Sequence, residues 1–527
     1  MRKKMPEYLS PGVYIEEFEV GARPIEGVST STAGFLGETE RGPTEPRLVT
    51  SWIQFQQVYG SYFSIDGITP YLPYAVEGFF TNRGQRCYIG RITRRDATTA
   101  SANLIGPGGA ALTVHAAGEG KWGERIGILV MKGSRSKDDP RTFFRLQVYY
   151  WNKIPEAGWP PDPADITKFL RNHPPALSED FDDLSVDKKS PDFYGTKVKS
   201  SLISLIKADY GSGKIPDDMA TLTPLNDGED GTQAITVDRF KRDLPEEDKP
   251  GMRRGLAAFR EIDEIAILYA PDAYAIDGLP AALINHCETL KDRFAILDAN
   301  DGISDVNAIR PRDDNPTMYA AYYYPWIKVT DPVNNEIKII PPGGHIVGIY
   351  ARTDDERGVY NAPANEVVKG AVGIEFTITK GVQNILNPRG VNCLRVFPGR
   401  GILVWGARTL SINRLWQYIA IRRLFNYIEE SIKRGTQWVV FEPNDEKLWA
   451  RVRATITQFL TRVWKDGALM GTKPEEAFFV KCDRTTMTQD DIDNGRLICT
   501  IGIAPVKPAE FVIFRIVQWT GGSSVTE

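Results

Sequence analysis

The sequence contains no apolar run long enough to cross a membrane. The best candidate lies near the end of the chain and is interrupted by Lys507, Glu510 and Arg515, whereas a membrane helix needs about 20 largely uninterrupted apolar residues. The first residues are basic, as in a secretory signal peptide, but Pro6 and Glu7 stand where its apolar segment would begin. We therefore expect no direct membrane insertion and no export through a signal peptide.

Histidine and cysteine are scarce, which limits metal binding and cross-linking. The chain has four histidines and five cysteines in 527 residues. No two cysteines form a CxxC motif and no two histidines lie four residues apart, so the spacing that holds zinc is missing. Cysteines that are odd in number and widely separated are typical of a reducing compartment. We expect free thiols, no structural disulfide and no metal site.

The common catalytic and nucleotide-binding motifs are also missing. The nearest approach to a phosphate-binding loop is ADYGSGKI, in which Ala208 replaces the first glycine and Ile215 replaces the Ser or Thr that binds magnesium. No GxSxG nucleophile elbow is present. His286 adjoins Cys287, but neighbours on a helix point about 100° apart and do not face each other. We predict no catalytic residues, no cofactor and no enzyme activity, with an α/β hydrolase or nucleotide-binding enzyme as the alternative.

The charge of the chain is small but unevenly distributed. Its net charge is −4 and 42% of its residues are hydrophobic, so there is no general attraction to nucleic acid. Residues 389–465, in contrast, carry 14 Lys and Arg against 5 Asp and Glu. Three interpretations stay open for this segment: internal ion pairs and snorkelling side chains, a basic surface for an acidic protein partner, and, in third place, nucleic acid.

Hydrophobic periodicity predicts a multidomain fold that mixes α/β and α+β parts. Short apolar strands that alternate with helical patterns indicate a parallel sheet, and a long stretch of alternating strands with polar turns interrupts it. A strong helix, apolar on two sides, is predicted over residues 408–434. The predicted parts are an N-terminal arm (1–27), a central α/β domain (28–94 with 236–362), a β-rich insertion (95–235), a C-terminal α+β domain (363–505) and a C-terminal arm (506–527).

Both ends of the chain contain strand patterns, and the sequence does not show which strands they pair with. The stretch APVKPAEFVIFRIVQW is apolar on both faces, which is typical of a central strand that needs partners on both sides. It either pairs within its own domain or, with the N-terminal arm, adds to a sheet of another copy of the chain. The predicted arm contacts are Val13, Tyr14, Ile15, Phe18, Phe511, Val512, Ile513, Phe514 and Ile516.

The last half of the sequence resembles the contractile tail sheath family of contractile-tailed phages and phage-like injection systems. The resemblance is carried by YYYPWIKVTDP, IIPPGGHIVGIYARTDDERGVYNAPAN, LNPRGVNCLRVFPGRGILVWGARTL, FEPNDEKLW, GALMGTKPEEAFFVKCD and GIAPVKPAEFVIFRIVQW, in this order. YLSPGVYIEEF looks like the N-terminal arm of the family, and LNDGEDGT resembles the entry to its central domain. Tyr360 and Asn361 depart from the family pattern, in which Trp and Lys are expected.

The resemblance implies a structural protein with a subtilisin-like central domain and an insertion on the outside. It implies self-assembly into stacked rings of six subunits around an inner tube, contraction triggered at a baseplate, contacts with tail terminator or cap proteins, and assembly in the bacterial cytoplasm without nucleic acid. A static tube or shell protein is the alternative that shares the arms. Because sheaths of the family turn their C-terminal domain towards the tube, the predicted tube contacts are Arg414, Arg422, Arg423, Lys433 and Arg434.

Overall fold

The computed structural model describes residues 24–65, 67–136, 143–155, 159, 166–207, 215–219, 221–242 and 253–515. The predicted N-terminal arm contacts from Val13 to Phe18, and Ile516, lie outside these residues. The chain divides into two units, and the larger one holds residues 29–427 and the segment that begins at Lys507. Its first elements are β1 (Ala33–Gly37), β2 (Arg47–Val49), α1 (Trp52–Tyr59), α2 (Leu72–Thr81) and β3 (Cys87–Arg91).

A β-rich segment follows β3 and forms two antiparallel sheets. Its elements are β4 (Ser101–Gly106), β5 (Gly109–Ala116), β6 (Ile126–Lys132), β7 (Phe144–Tyr150), α3 (Ile166–Asn172), β8 (Leu177–Leu184), α4 (Tyr194–Lys197), β9 (Ile203–Lys207) and β10 (Thr223–Pro224). One sheet has the order β4-β5-β9 and the other β10-β6-β7-β8. Every second residue of β7 is buried, as expected for a strand with one face on a core. The two sheets share one hydrophobic cluster around Trp122, Phe144 and Tyr150.

The chain then returns to the α/β part of the larger unit. The elements there are α5 (Val237–Lys241), α6 (Gly255–Phe259), β11 (Ile267–Tyr269), α7 (Leu279–Leu290), β12 (Phe294–Asp298), α8 (Pro311–Asp314), β13 (Ala320–Tyr324), β14 (Ile327–Thr330), β15 (Ile337–Ile340), α9 (Gly343–Arg357), β16 (Gly373–Ile374), α10 (Lys380–Leu386), β17 (Val391–Phe397) and β18 (Gly401–Trp405). Helix α11 (Ile419–Gly435) begins in this unit and ends in the smaller one.

An eight-stranded sheet organises the α/β part, in the order β18-β17-β13-β12-β11-β1-β3-β2. The six inner strands are parallel, and only the edge strands β2 and β18 run antiparallel to their neighbours. All five residues of β1 are buried, which is the usual state of a parallel strand with helices on both faces. One face packs in a cluster with α2 and α9, the other in a cluster with α6 and α7. The fold is therefore a mixed α/β, multidomain one.

Helices α2 and α9 approach each other through glycines. A Cβ atom built on Gly344 would lie 2.3 Å from the backbone of Ala75, and one on Gly348 would lie 2.5 Å from the carbonyl oxygen of Phe79. No larger side chain fits at these distances, so the sequence GGHIVG at the start of α9 is explained by backbone contact between the two helices.

The smaller unit is described for residues 24–28 and 428–506. Besides the end of α11 it contains α12 (Glu446–Lys465), α13 (Pro474–Ala477), β19 (Phe478–Lys481), α14 (Gln489–Asp493) and β20 (Thr500–Ile503). Helix α12 begins at Asp445, whose side chain accepts a hydrogen bond from the backbone N–H of Leu448, and buries an apolar stripe from Leu448 to Val463. The predicted arm residue Ile25 is 1% exposed and lies against Gly435.

Two predicted boundaries are wrong. Strands β17 and β18 belong to the eight-stranded sheet, so the α/β domain does not end at residue 362. Strand β17 joins the sheet by parallel pairing with β13, in which Tyr322 lies opposite Val391. Periodicity along the chain does not reveal a pairing between residues so far apart in sequence. The predicted helix over 408–434 begins only at Ile419, because residues 408–418 form a bridge and a short 3-10 turn instead.

Candidate interface for subunit assembly

The root of the C-terminal segment is fastened to the larger unit by one carboxylate. Glu510 accepts two hydrogen bonds from Arg408, one from Nε at 2.8 Å and one from Nη2 at 2.7 Å. The amide of Asn387 donates to its Oε1 at 2.8 Å, and the hydroxyl of Tyr418 donates to its Oε2 at 3.1 Å. Paired, planar contacts between arginine and a carboxylate are among the strongest polar interactions in proteins. We call this set of four residues the arm anchor.

The electrostatics of the anchor favour an ionised carboxylate. Burial by itself would raise the pKa of Glu510, but the hydrogen bonds from Arg408, Asn387 and Tyr418 together with the Arg408 charge lower it overall. The same arrangement raises the pKa of Tyr418 through burial and the nearby Glu510 charge. Glu510 is therefore charged at neutral pH, and its negative charge offsets the positive charge of Arg408.

The anchor forms one wall of a groove in the larger unit. The groove has a volume of about 530 Å³ and is lined by the 362–365 loop, α10, the end of β18 and residues 508–511. Its lining includes the polar side chains of Lys380, Gln383 and Arg395 and the apolar side chains of Trp405 and Phe511. Sequence reasoning missed the anchor, although Glu510 is the single acidic residue of residues 504–519 and directly precedes the apolar stretch.

Beyond the anchor, four apolar residues are exposed. Phe511, Val512, Ile513 and Phe514 are 68% to 84% exposed, and within the described chain, which ends at Arg515, they belong to no strand. Four consecutive large apolar side chains in solvent are unusual for a folded protein, and exposed apolar patches are typical of interaction sites.

The smaller unit presents a two-stranded sheet, β19 and β20. The strands pair antiparallel from Phe478 with Ile503 to Lys481 with Thr500, and in the described part of the chain neither strand has a second neighbour. Its inner face packs on α12, because Phe478 is buried there, while Phe479 on the outer face is half exposed. Leu469 bridges Pro505 just beyond the end of β20, and the edges along residues 478–481 and 500–503 are open in the described chain. The sheet is too small to be stable without the helix beneath it.

The predicted tube contacts Arg422 and Arg423 are wrong as surface residues. They are 2% and 3% exposed. Arg423 donates two hydrogen bonds to the buried carboxylate of Asp354, at 2.8 and 2.6 Å. Arg422 donates to Asn426 at 2.8 Å, and its guanidinium lies 4.6 Å from the ring centre of Trp416. The basic pattern of α11 is thus partly explained by internal pairs, which was one of the interpretations left open.

The other three predicted tube contacts are accessible. Arg414 is exposed in the turn before α11, where Ile412 and Leu415 beside it are 80% and 66% exposed. Lys433 and Arg434 lie in the last turn of α11 and both pair with Glu430, at 3.0 and 2.7 Å. Lys433 remains largely in solvent.

Metal-binding side chains do not converge in the described residues. No group of three or more His, Cys, Asp or Glu side chains there is arranged to hold a metal ion. His286 is buried and its pKa is lowered to about 3 by burial and by the charge of Arg293, so it is a poor base. Among the helices of the described chain, none has the length and apolar character that crossing a bilayer requires.

Two sequence models of one protein family match adjacent parts of the chain. The phage tail sheath protein central domain matches residues 247–410, and the phage tail sheath C-terminal domain matches residues 411–518. Together they cover just over half of the chain, and their common boundary agrees with the extension of the central sheet to Trp405. A curated relative, the tail sheath protein of Burkholderia phage BcepMu, is 24% identical over 342 residues, which are 61% of this chain and 69% of the relative.

Solved sheath structures share the fold along nearly the whole chain. The PVC sheath complex of an extracellular contractile injection system, in the contracted state, is 23% identical with a TM-score of 0.57, and the match covers 98% of this chain and 99% of that one. The contracted helical sheath of the anti-feeding prophage is 24% identical with a TM-score of 0.57, covering 96% and 99%. The chain belongs to the family of contractile tail sheath proteins.

Proposed function

We propose that this chain is the structural subunit of a contractile sheath that polymerises as stacked rings, six subunits to a ring, around an inner tube. The single observation that carries the assembly step is the exposed run Phe511–Phe514 directly after the arm anchor. The chain belongs to the tail sheath family, and two of the matched structures are contracted sheaths. Contraction of such an assembly drives the inner tube through a target envelope.

In this proposal, residues 511–514 of one copy add as a strand to the β19–β20 sheet of another. The open sheet edge is four residues long, which matches the exposed stretch. Strand addition satisfies backbone groups at about 0.5 to 1.5 kcal/mol net per hydrogen bond. Each apolar side chain that becomes buried adds about 1.5 to 3 kcal/mol. The alternating faces of a strand allow Phe511 and Ile513 to be buried on one side and Val512 and Phe514 on the other.

The second edge of the same sheet is the proposed acceptor for the N-terminal arm, through Val13, Tyr14, Ile15 and Phe18. Two arms and two open edges give each acceptor sheet a strand on either side, as a stable small sheet requires. Ile516 extends the C-terminal strand. The arms then form a mesh that keeps neighbouring subunits linked while other contacts change during contraction.

The arm anchor gives this mesh mechanical continuity. A strand held by a neighbour transmits force to its own subunit only if its root is fixed. Glu510 is bonded to Arg408, Asn387 and Tyr418 immediately before the strand begins. We infer that load passes from the neighbour's sheet through Phe511 into the larger unit at this point.

Further partners follow from the family and remain proposals for this chain. They are an inner tube protein, a baseplate and a tail terminator or cap, with assembly in the bacterial cytoplasm. Arg414, Lys433 and Arg434 stay candidates for the tube contact. A subtilisin-like description of the central domain is compatible with its parallel sheet and helices on both faces. The matched relatives are structural proteins, which supports a role without catalysis.

A single proline substitution in the arm tests the proposal. Ile513→Pro removes a backbone N–H and fixes φ, which blocks strand addition, while residue 513 is 79% exposed and outside any strand of its own chain. Ile513→Thr is the matched control, because it keeps the N–H and the β-branched shape. We expect tubes by negative-stain electron microscopy, with or without a co-expressed tube protein, from the wild type and Ile513→Thr but not from Ile513→Pro. Tubes of normal length from Ile513→Pro would refute the arm mechanism.

A further inference from the structure

Two cysteines lie opposite each other at the end of the β19–β20 hairpin. The last register pair of the hairpin is Lys481 with Thr500, so the next pair along the antiparallel ladder is Cys482 with Cys499. Each thiol influences the pKa of the other, as expected for neighbouring side chains. Both are free thiols. The connection beyond them, which contains α14, is closed near its base, because the hydroxyl of Thr486 donates to the carbonyl oxygen of Ile498 at 2.9 Å.

The ladder places this pair at a position that a disulfide can span. The backbone N–H of Ala504 donates to the carbonyl oxygen of Ala477 at 2.8 Å, which makes 477 with 504 a hydrogen-bonded pair. Such pairs alternate along an antiparallel ladder, so 482 with 499 is a pair of the other kind, whose Cα atoms are about 4.5 Å apart. Disulfides join residues whose Cα atoms are about 4.4 to 6.8 Å apart.

The pair lies on the helix-facing side of the hairpin. Phe478 and Cys482 are both buried, and Phe479 and Lys481 between them are exposed, so alternate residues of this strand point towards the interior. A bond between the two sulfur atoms would therefore form beneath the sheet and leave both of its edges open.

The remaining cysteines have no such partner. Cys87 pairs across its sheet with Ala33 and Val49, and Cys393 pairs with Tyr324 and Trp405. Cys287 is buried in α7. Among the five, the hairpin pair alone is set up to close within one subunit.

We propose that Cys482 and Cys499 are a reversible oxidation site that closes to a disulfide across the hairpin when the particle leaves the reducing cytoplasm. The oxidant is a peroxide. The thiolate sulfur of Cys499, which is partly accessible, attacks one oxygen of hydrogen peroxide and breaks the O–O bond, giving a sulfenic acid and water. The Cys482 sulfur then displaces the sulfenic hydroxyl as a second water molecule. Two thiols and one peroxide yield one disulfide and two waters.

The surroundings make the reaction slow at neutral pH. Burial raises the pKa of Cys482, and burial together with the Cys482 thiol raises the pKa of Cys499 to about 12, although the Arg453 charge opposes both shifts. Because the thiolate is the reacting form, brief exposure to peroxide inside a cell leaves the pair reduced, whereas prolonged exposure outside closes it. The rate rises with pH.

The consequence for assembly rests on the proposed function of the hairpin as the acceptor of the arms. A bond between its two strands fixes their register from beneath. The acceptor sheet of an oxidised sheath then opens less readily under load, and the particle is more resistant to dissociation after release.

The test uses the full-length chain, oxidised with hydrogen peroxide, quenched, alkylated after denaturation and digested with trypsin. Because Lys507 precedes Pro508, the digestion yields peptides 482–484 and 497–515, and the disulfide joins them. We expect the joined peptides in the wild type and their loss on reduction. Cys499→Ser removes the bond, and Cys87, Cys287 and Cys393 serve as internal controls that remain alkylated. Overoxidised Cys499 without joined peptides would overturn the proposal, whether or not tubes form.

A second measurement isolates the effect on the sheath. Tubes from the wild type and from Cys499→Ser are compared in urea before and after oxidation. We expect oxidation to raise the urea concentration at which wild-type tubes dissociate and to leave the variant unchanged. Equal dissociation of oxidised and reduced wild-type tubes would overturn the stabilising role. A failure of every chain to form tubes would count against the proposed sheath function and not against the oxidation site.

Discussion

Replacing Arg423 is expected to destabilise the larger unit, and not merely to weaken an external contact. The guanidinium is 4% exposed, and it neutralises Asp354, which is 2% exposed, through two hydrogen bonds. It also donates to the carbonyl oxygen of Thr30 at 2.9 Å and lies 4.9 Å from the ring centre of Tyr350. Arg423→Ala leaves a carboxylate buried without its partner, which costs about 3 to 5 kcal/mol. Domains are stable by only about 5 to 15 kcal/mol.

A double variant distinguishes the cost of leaving the Asp354 carboxylate buried without a partner from the loss of its attraction to Arg423. Burial raises the pKa of Asp354 even though Arg423 acts in the opposite direction, so the pair does not fully offset the cost of burying its charges. Replacing both partners by apolar side chains, Arg423→Met with Asp354→Leu, should therefore recover most of the stability that Arg423→Ala loses. Arg423→Glu, which places a second carboxylate beside Asp354, should be the least stable of the three.

Urea unfolding followed by circular dichroism measures these differences. We expect the Ile513→Pro background to keep the chain from assembling, so that the unfolding transition does not depend on protein concentration. We expect the transition of the larger unit to move to lower urea by the equivalent of about 3 to 5 kcal/mol for Arg423→Ala. A shift below about 1 kcal/mol, the range of exposed pairs, would refute the reasoning. An Arg423→Glu chain that folds normally but does not assemble on the tube protein would also refute the reasoning.

Three further predictions concern the two units separately. Gly344→Ala should prevent folding of the larger unit, because its Cβ would lie 2.3 Å from the backbone of Ala75; yields of soluble chain check this, and normal yield would contradict it. Phe459→Ala should cost about 3 to 5 kcal/mol in the unfolding of the smaller unit, where Phe459 is 1% exposed. Burial raises the pKa of Asp298 to about 7, above its unfolded value near 3.8. The folded state thus binds the proton more tightly, and its stability falls as pH rises from about 4 through 7. Asp298→Asn should remove this pH dependence. The free energy of unfolding of the variant in urea, relative to that of the wild type, should therefore rise between pH 5 and pH 8. A relative free energy that falls over this range would contradict the prediction.

Local sequence patterns indicate several of the strands, because hydrophobic alternation depends on neighbours along the chain. The alternation in FFRLQVYY corresponds to β7, and the apolar runs ILY and FAILD are buried strands of the central sheet. The resemblance of the last half to tail sheaths was confirmed by two adjacent family matches.

The features that sequence reasoning missed depend on contacts between distant residues. Arg408 and Glu510 lie 102 positions apart, and no periodicity links them. Helical spacing places Arg422 and Arg423 on α11 but does not reveal that Trp416 and Asp354 cover them. The domain boundary at residue 362 failed for the same reason, since strand order is set by tertiary pairing. The cysteine pair was hidden because Cys482 and Cys499 meet only through the register of β19 and β20.

The most direct test of the account is a cryo-electron microscopy reconstruction of tubes assembled from the intact chain. We predict density for residues 511–514 as a strand beside β19 or β20 of a neighbouring subunit, with Glu510 still bonded to Arg408 of its own subunit. Residues 511–514 folded back onto their own subunit, or tubes whose β19–β20 sheets have no added strand, would contradict it.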